Sequence, residues 1–402
     1  MPAALKRFLP YGRQSIDDGD IAAVVDVLRG DLLTTGPMAA RFEEAFARTV
    51  DVPYAVVCSS GTAALHLAAL ALDIGAGDRV VVPTITFLAT ANAARLTGAE
   101  VVFADVDPDT GLLTPETLEA ALRKNGEAKA VFPVHLAGQT APMPEIARAA
   151  RRHGLKVVED ACHALGTTYQ NGNETVKVGT TAHSDLACFS FHPVKTIAMG
   201  EGGAVTSRDP AAAQRLARLR NHGMDRRADA FEYGADAHDL SGQLNPWYYE
   251  MPEVGLNYRA SDIHCALGLR QLSKFEQFAA KRRALTARYD ELLKSLAPAV
   301  RPLCKMPGCD PVLHLYVVLI DFAAVGKSRA TVMNALKQRN VGTQVHYVPV
   351  HRQPYYRKRY GDIDLPGARS YYERCLSLPL FPGMELEEVD SVVDTLKTVL
   401  AK

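Results

Sequence analysis

Lys195 stands between an apolar run, "ACFSF" (187–191), and a glycine-rich stretch, "GEGG" (200–203). A lysine just past a buried strand can act as a nucleophilic amine, because loss of solvation favours its uncharged form. Upstream, "VVEDACHALG" (157–166) ends another apolar run in Glu159 and Asp160. An acid at the carboxyl end of a parallel strand faces the ligand crevice of an open sheet, where it can hold the proton on a ring nitrogen. Further upstream, "VVCSSGTAALHL" (56–67) leads a strand into a helix through Ser59, Ser60, Gly61 and Thr62. Free N–H groups and hydroxyls converge there, and such a helix N-terminus suits a phosphate.

Each feature also has a plain structural role: a helix cap, an acid paired with a neighbour, a solvated lysine. The combination is more demanding. A phosphate cradle, a strand-end acid and a lysine after a later strand are the three elements that hold pyridoxal phosphate. The phosphate anchors it, the acid keeps the pyridine nitrogen protonated, and the lysine forms the imine.

The elements that must position these groups follow from hydrophobic patterning. Strands are predicted at 54–59, 79–85, 100–106, 130–135, 156–161, 186–191 and 202–207, several apolar on both faces as buried parallel strands are. Helical patterns lie between them at 61–72, 114–124 and 144–154, the second opening on a Thr114–Thr117 capping pattern with Pro115 at its first position. The alternation predicts an α/β fold of βαβ units around a largely parallel sheet. A polar, aromatic-containing segment from Asp225 to Glu253 is too long for a simple connection and reads as a functional loop. A helical stretch from Ser261 to Leu296 follows. Then "HLYVVLIDF" (314–322), a helix at 328–340 and "VGTQVHYVPVH" (341–351) predict a smaller α/β unit. The boundary is drawn at 270/271: a large domain, 1–270, including the N-terminal segment, and a small domain, 271–402.

The 402 residues, 48% of them hydrophobic, are ample for a large core plus a smaller one. Forty-five basic residues balance 45 acidic ones, so no overall field favours nucleic acid or an anionic membrane, and anionic ligands need local sites. No apolar run approaches the ~18 residues of a membrane span, and the N-terminus lacks a signal-peptide core, so the expected location is cytoplasmic. Seven scattered cysteines without CxxC spacing argue against a disulfide framework and against a zinc site; no metal is expected.

The segments "FSFHPVKTIAMGEGGAV", "VVEDACHALG", "CSSGTAAL" and "GLNYRASDIHCALGLRQL" closely resemble the DegT/DnrJ/EryC1/StrS family of sugar aminotransferases, and the resemblance covers essentially the whole chain. It implies a fold-type I pyridoxal-phosphate enzyme, a homodimer with active sites shared between subunits. Such an enzyme transfers an amino group from glutamate to a nucleotide-linked keto-sugar. Carried over by motif, Lys195 is the Schiff-base lysine and Asp160 the partner of the pyridine nitrogen. Gly61, Thr62 and Ser190 contact the phosphate, Phe87 of "TITFLATANAA" stacks on the ring, and His163 lies beside the phenolic oxygen. Asn257 of "GLNYR" reaches the phosphate of the neighbouring subunit. Arg259, His346, Tyr347 and His351 are the substrate-binding candidates.

Within the family, "HPVK", "PWYYEM" and "VGTQVHYVPVHRQPYY" look most like the pseudaminic-acid branch. This implies C4 amination of UDP-2-acetamido-2,6-dideoxy-β-L-arabino-hex-4-ulose. Other NDP-4-keto sugars, of the perosamine, 4-amino-arabinose or bacillosamine type, are the alternative. One departure is Ala198-Met199, where relatives often carry small polar residues; if one of those hydroxyls touches cofactor or sugar, the substrate assignment suffers. "GEGG" reads as a tight turn needing unusual backbone angles, without a catalytic role.

Three other readings are weaker. The family's sugar dehydratases carry histidine in place of the imine lysine, so Lys195 argues against them. A non-catalytic sensor calls for a broken site or an added DNA-binding module, and neither is visible. A nicotinamide enzyme calls for a strand–GxGxxG–helix unit, which is missing.

Overall fold

The computed structural model describes residues 5–401. Helices α1 (Asp18–Arg29) and α2 (Met38–Val50) open the chain, followed by β1 (Tyr54–Cys58), α3 (Gly61–Ala71), β2 (Arg79–Pro83), α4 (Leu88–Leu96), β3 (Glu100–Ala104), α5 (Pro115–Asn125), β4 (Ala130–Val131), α6 (Met143–Arg152) and β5 (Lys156–Asp160). A hairpin, β6 (Thr168–Asn171) and β7 (Glu174–Lys177), precedes β8 (Leu186–Ser190), β9 (Gly203–Ser207) and α7 (Pro210–Leu219).

The main sheet has seven strands in the order β1-β9-β8-β5-β4-β2-β3. All share one direction except β9, which is antiparallel to both neighbours. Helices cover both faces, which is why Val80, Val81 and Val82 of β2 are all completely buried. Each such side chain contributes roughly 1.5–3 kcal/mol on burial. The fold class is as the patterning predicts. Strand β4 is shorter than the predicted 130–135: Pro133 has no N–H for a ladder, and beyond Val131 only Val134 bridges to Asp160.

The predicted helix over 261–296 is two helices, α8 (Asp262–Ser273) and α9 (Phe275–Leu293), meeting at Lys274. Helix α8 stays against α1 and α2, while α9 turns toward the C-terminal part. There β10 (Val300–Pro302), β11 (Cys309–Asp310), β12 (Tyr316–Ile320), α10 (Arg329–Lys337), α11 (Pro354–Tyr360), α12 (Pro366–Arg374), β13 (Cys375–Leu378) and α13 (Leu386–Leu400) complete the chain. Strands β10-β12-β13 form a small antiparallel sheet with its own core. Leu9 is fully buried in that core, and its backbone pairs with Asn340 and Gly342. The stretch around Leu9 packs on this small core, while α1 and α2 pack on α8. Strand β11 likewise crosses over to pair with β6. No helix among the described residues is long and apolar enough to cross a membrane.

Candidate active site

The carboxyl ends of β5 and β8, the N-terminus of α3 and the turn before α4 meet at a cavity of about 600 Å³. Ser60 is the N-cap of α3, its hydroxyl accepting the Ala63 N–H at 3.1 Å. Gly61 follows because nothing larger fits: a Cβ there would lie 2.7 Å from Ser190 Cβ and 3.3 Å from Cys162 Sγ. Gly203, the first residue of β9, is equally constrained, since its Cβ would come within 2.3 Å of the Ser60 carbonyl oxygen. Of "GEGG", then, Gly200 supplies a turn at φ +81 and Gly203 a close backbone approach. The N-terminus of α3 at Gly61 and Thr62 and the Ser190 side chain lie together on the cavity wall, a polar corner whose free N–H groups suit an anion.

Glu159 and Asp160 are adjacent on β5 and point to opposite faces. Asp160 lines the cavity, accepting a hydrogen bond from Thr90 Oγ1 at 2.6 Å and from the Cys162 N–H at 3.2 Å. Glu159 turns away. Buried behind the sheet, it accepts from His135 Nε2 at 2.8 Å and Ser184 Oγ at 2.5 Å. Of the two acids the sequence offers, only Asp160 can meet a ligand.

Lys195 lines the same cavity and keeps part of its surface accessible, while the protein packed around it strips water from the ammonium. Burial pushes its pKa below the ordinary lysine value, against the opposing pull of Cys162 and Asp160 nearby. His163 is held neutral, its pKa pushed well below 6.5 by burial and then by Lys195 and His346. Its Nδ1 accepts the Ala137 N–H at 3.3 Å, so the ring proton resides on Nε2, 3.2 Å from the Tyr347 hydroxyl. Nε2–H is thus a donor at the cavity wall. Tyr347 stays a phenol, its pKa raised well above 10 by burial.

Phe87, the N-cap of α4, lines the cavity and is 55% exposed, so it is not part of the packed core. His346 and Tyr347 also line it. His346 is anchored by Ser377 Oγ at 2.7 Å, and burial lowers its pKa to about 3.

The other candidates do not reach this cavity. His351 is buried against the Thr84 hydroxyl at 2.7 Å, where it ties the segment after Pro349 to the end of β2; its place in the structure is a packing role. Arg259 donates to Asn221 Oδ1 at 2.6 Å and Asn257 is exposed, both away from the lining. Ala198 and Met199 are buried core residues outside the lining of this cavity. Patterning missed several lining residues: Tyr11, Thr86, His192, Glu201, His314 and Gln344. Tyr11 and His314 arrive from segments distant in sequence, and no spacing signals them.

Residues 14–397 match the DegT/DnrJ/EryC1/StrS aminotransferase family. The chain is 38% identical over 396 residues to spore coat polysaccharide biosynthesis protein SpsC of Bacillus subtilis, covering 98% of this chain and 97% of that one. Among solved structures it is similar to Helicobacter pylori PseC, an aminotransferase involved in the biosynthesis of pseudoaminic acid. That likeness has a TM-score of 0.86 and 28% identity, and covers 98% and 99% of the two chains. It is also similar to the putative sugar aminotransferase Spr1654 of Streptococcus pneumoniae in its PLP form, at a TM-score of 0.85 and 27% identity over 98% of each chain. The PMP form of Spr1654 matches equally well. The chain belongs to the DegT/DnrJ/EryC1/StrS aminotransferase family: it is a sugar aminotransferase, and its cofactor is pyridoxal phosphate.

Proposed function

Starting from that membership, we propose that the enzyme moves an amino group from L-glutamate to C4 of UDP-2-acetamido-2,6-dideoxy-β-L-arabino-hex-4-ulose, giving UDP-4-amino-4,6-dideoxy-N-acetyl-β-L-altrosamine. The observation that carries the chemistry is one cavity wall holding Lys195, Asp160, His163 and the cradle at Gly61. The sugar assignment is supported by the likeness to PseC along the full chain.

The residues fit the cofactor. The Gly61 and Thr62 backbone and the Ser190 hydroxyl would hold its phosphate, Asp160 its ring nitrogen, the His163 Nε2–H its phenolic oxygen, and Phe87 one ring face. When bound, pyridoxal phosphate supplies an electron sink that acidifies the C–H bond beside the nitrogen it carries. Lys195 Nζ, uncharged at lower pH than an ordinary lysine, takes the proton from the donor's Cα and later delivers one to C4 of the sugar. Asp160, an acceptor held by two donors, keeps positive charge on the ring nitrogen.

The test loads the protein with pyridoxamine phosphate and follows its spectrum as UDP-, dTDP- and GDP-linked 4-keto-6-deoxy sugars are added. We expect a rapid response to the UDP-acetamido sugar alone. The similarity to SpsC favours a second reading, in which another nucleotide 4-keto sugar is the acceptor; a dTDP or GDP preference would establish it and overturn the first.

The reading includes a homodimer. Lys195 is the only lysine and no arginine is present in the lining of the single-chain cavity, yet a donor carboxylate and a diphosphate both need cations. The loop around Glu250, whose carboxylate gathers the N–H groups of Glu232, Tyr233 and Gly234, leaves Trp247 70% exposed, with Tyr233, Met251 and Val254 also at the surface. An apolar surface of this kind is suited to a second copy. Asn257 and Arg259 of the partner subunit then complete each site. Asn257→Ala is expected to weaken cofactor retention about tenfold, as loss of one hydrogen bond to a charged group does; an unchanged cofactor dissociation constant in a dimer seen by size exclusion would refute the shared site. A cytoplasmic location belongs to the same reading and suits cysteines that are all unpaired.

A further inference from the structure

The carboxylate of Asp160 is gripped from a place seventy residues upstream. Thr90 Oγ1 lies 2.6 Å from Asp160 Oδ2, Thr86 Oγ1 lies 2.7 Å from Thr90 Oγ1, and all three side chains are buried. An ionised carboxylate can only accept, so the Thr90 hydroxyl donates to it. Having spent its one proton there, Thr90 accepts from Thr86, which gives a one-way chain Thr86 to Thr90 to Asp160. The other carboxylate oxygen takes the Cys162 N–H at 3.2 Å, and these are the two donors on Asp160 among the described residues. The Cys162 contact is local, spanning two residues of the same turn, and fixes the carboxyl only to its own backbone. Thr90 is the contact that orients it relative to another element.

That element matters. Thr90 sits in the first turn of α4, whose N-cap is Phe87, and its backbone N–H donates to the Phe87 carbonyl at 3.3 Å. One residue therefore registers the turn presenting the Phe87 ring against the strand end presenting Asp160. We propose that Thr90 is a positioning residue of the reaction: its hydroxyl, with Thr86 behind it, aims Asp160 at the ring nitrogen and couples that aim to the ring face offered by Phe87. The proposal rests on the cofactor placement given under Proposed function. With two donors in place, the carboxylate has its remaining acceptor capacity for an N–H presented from the cavity.

Thr90→Val keeps the volume and removes the donor; Thr90→Ser keeps the donor; Thr86→Val removes the outer link. In the holoenzyme we expect Thr90→Val to raise the cofactor dissociation constant and lower kcat by about ten- to hundredfold each, with little change in KM for glutamate. The pH midpoint of the bound cofactor's visible band should move up, because a ring that loses its proton no longer repels the neighbouring cation. Thr90→Ser should restore all three, and Thr86→Val should move them in the same direction by less. Wild-type values in Thr90→Val, or a loss that Thr90→Ser fails to rescue, overturn the proposal, the second by showing that the role is structural. If wild-type protein shows no visible cofactor band that Asp160→Asn alters, the placement of the cofactor itself falls instead.

Discussion

Lys195→Ala should abolish amino transfer, by roughly a thousandfold or more, while the protein remains folded and retains the ability to bind its cofactor. The lysine is the only side chain lining the cavity that combines an amine with a lowered pKa. The buried imidazoles of the lining, His163, His314 and His346, are depressed by the same burial, His346 to about 3, and make poor proton acceptors. His163 is further disqualified because its Nδ1 lone pair is already used by the Ala137 N–H. No imidazole of the lining, His192 included, can form an imine in place of the amine. Cofactor grip is carried by other residues, the α3 N-terminus and Asp160, so binding should survive. The check is a pair of measurements on one variant: turnover with glutamate, and cofactor content after gel filtration. Turnover within tenfold of wild type would remove Lys195 from the mechanism.

Asp160→Asn should cost roughly a hundred- to ten-thousandfold in kcat, with a smaller effect on KM for the sugar. The substitution is nearly isosteric, so it isolates the charge. A neutral amide cannot hold a proton on a ring nitrogen in a buried site, and it also confronts the Thr90 hydroxyl with a weaker acceptor. The glutamate half-reaction, followed by stopped-flow absorbance, separates this from substrate binding: the rate at saturation should fall while half-saturation changes little. The companion Glu159→Gln should behave differently. It leaves one acceptor oxygen where His135 and Ser184 each had one, and should lower the melting temperature more than the rate constant in folded protein, because Glu159 faces away from the cavity. Equal loss of kcat in both variants would contradict the assignment of the two acids to opposite faces.

Much of this was legible before any coordinates. Strand ends, a Ser-Gly-Thr turn and a lone lysine are local signals, each produced by residues within a few positions of one another, and the seven-stranded sheet formed where period and apolarity placed it. The capping pattern at Thr114 is likewise a local property and is present as read, with Thr117 reciprocating. Local signals fail where a residue's partner is remote. His351 looks like a substrate ligand beside His346 and Tyr347, but its imidazole finds Thr84, 267 residues away, and is withdrawn from the cavity. Thr90 meets Asp160 only because α4 is packed beside β5. Tyr11 belongs to the cavity wall although nothing near it in the chain does, its ring centroid 5.1 Å from that of His346.

The sequence by itself placed Asp160 at the end of one strand and Lys195 and the Gly61 turn shortly after the ends of two others, and strand ends of a parallel sheet converge on one edge. Only the tertiary structure showed how those groups are held: that Glu159 turns to His135 while Asp160 lines the cavity, which nitrogen of His163 carries the proton, and what orients Asp160. Each of those is settled by a hydrogen bond between segments far apart in the chain, formed only once the sheet and its helices have packed.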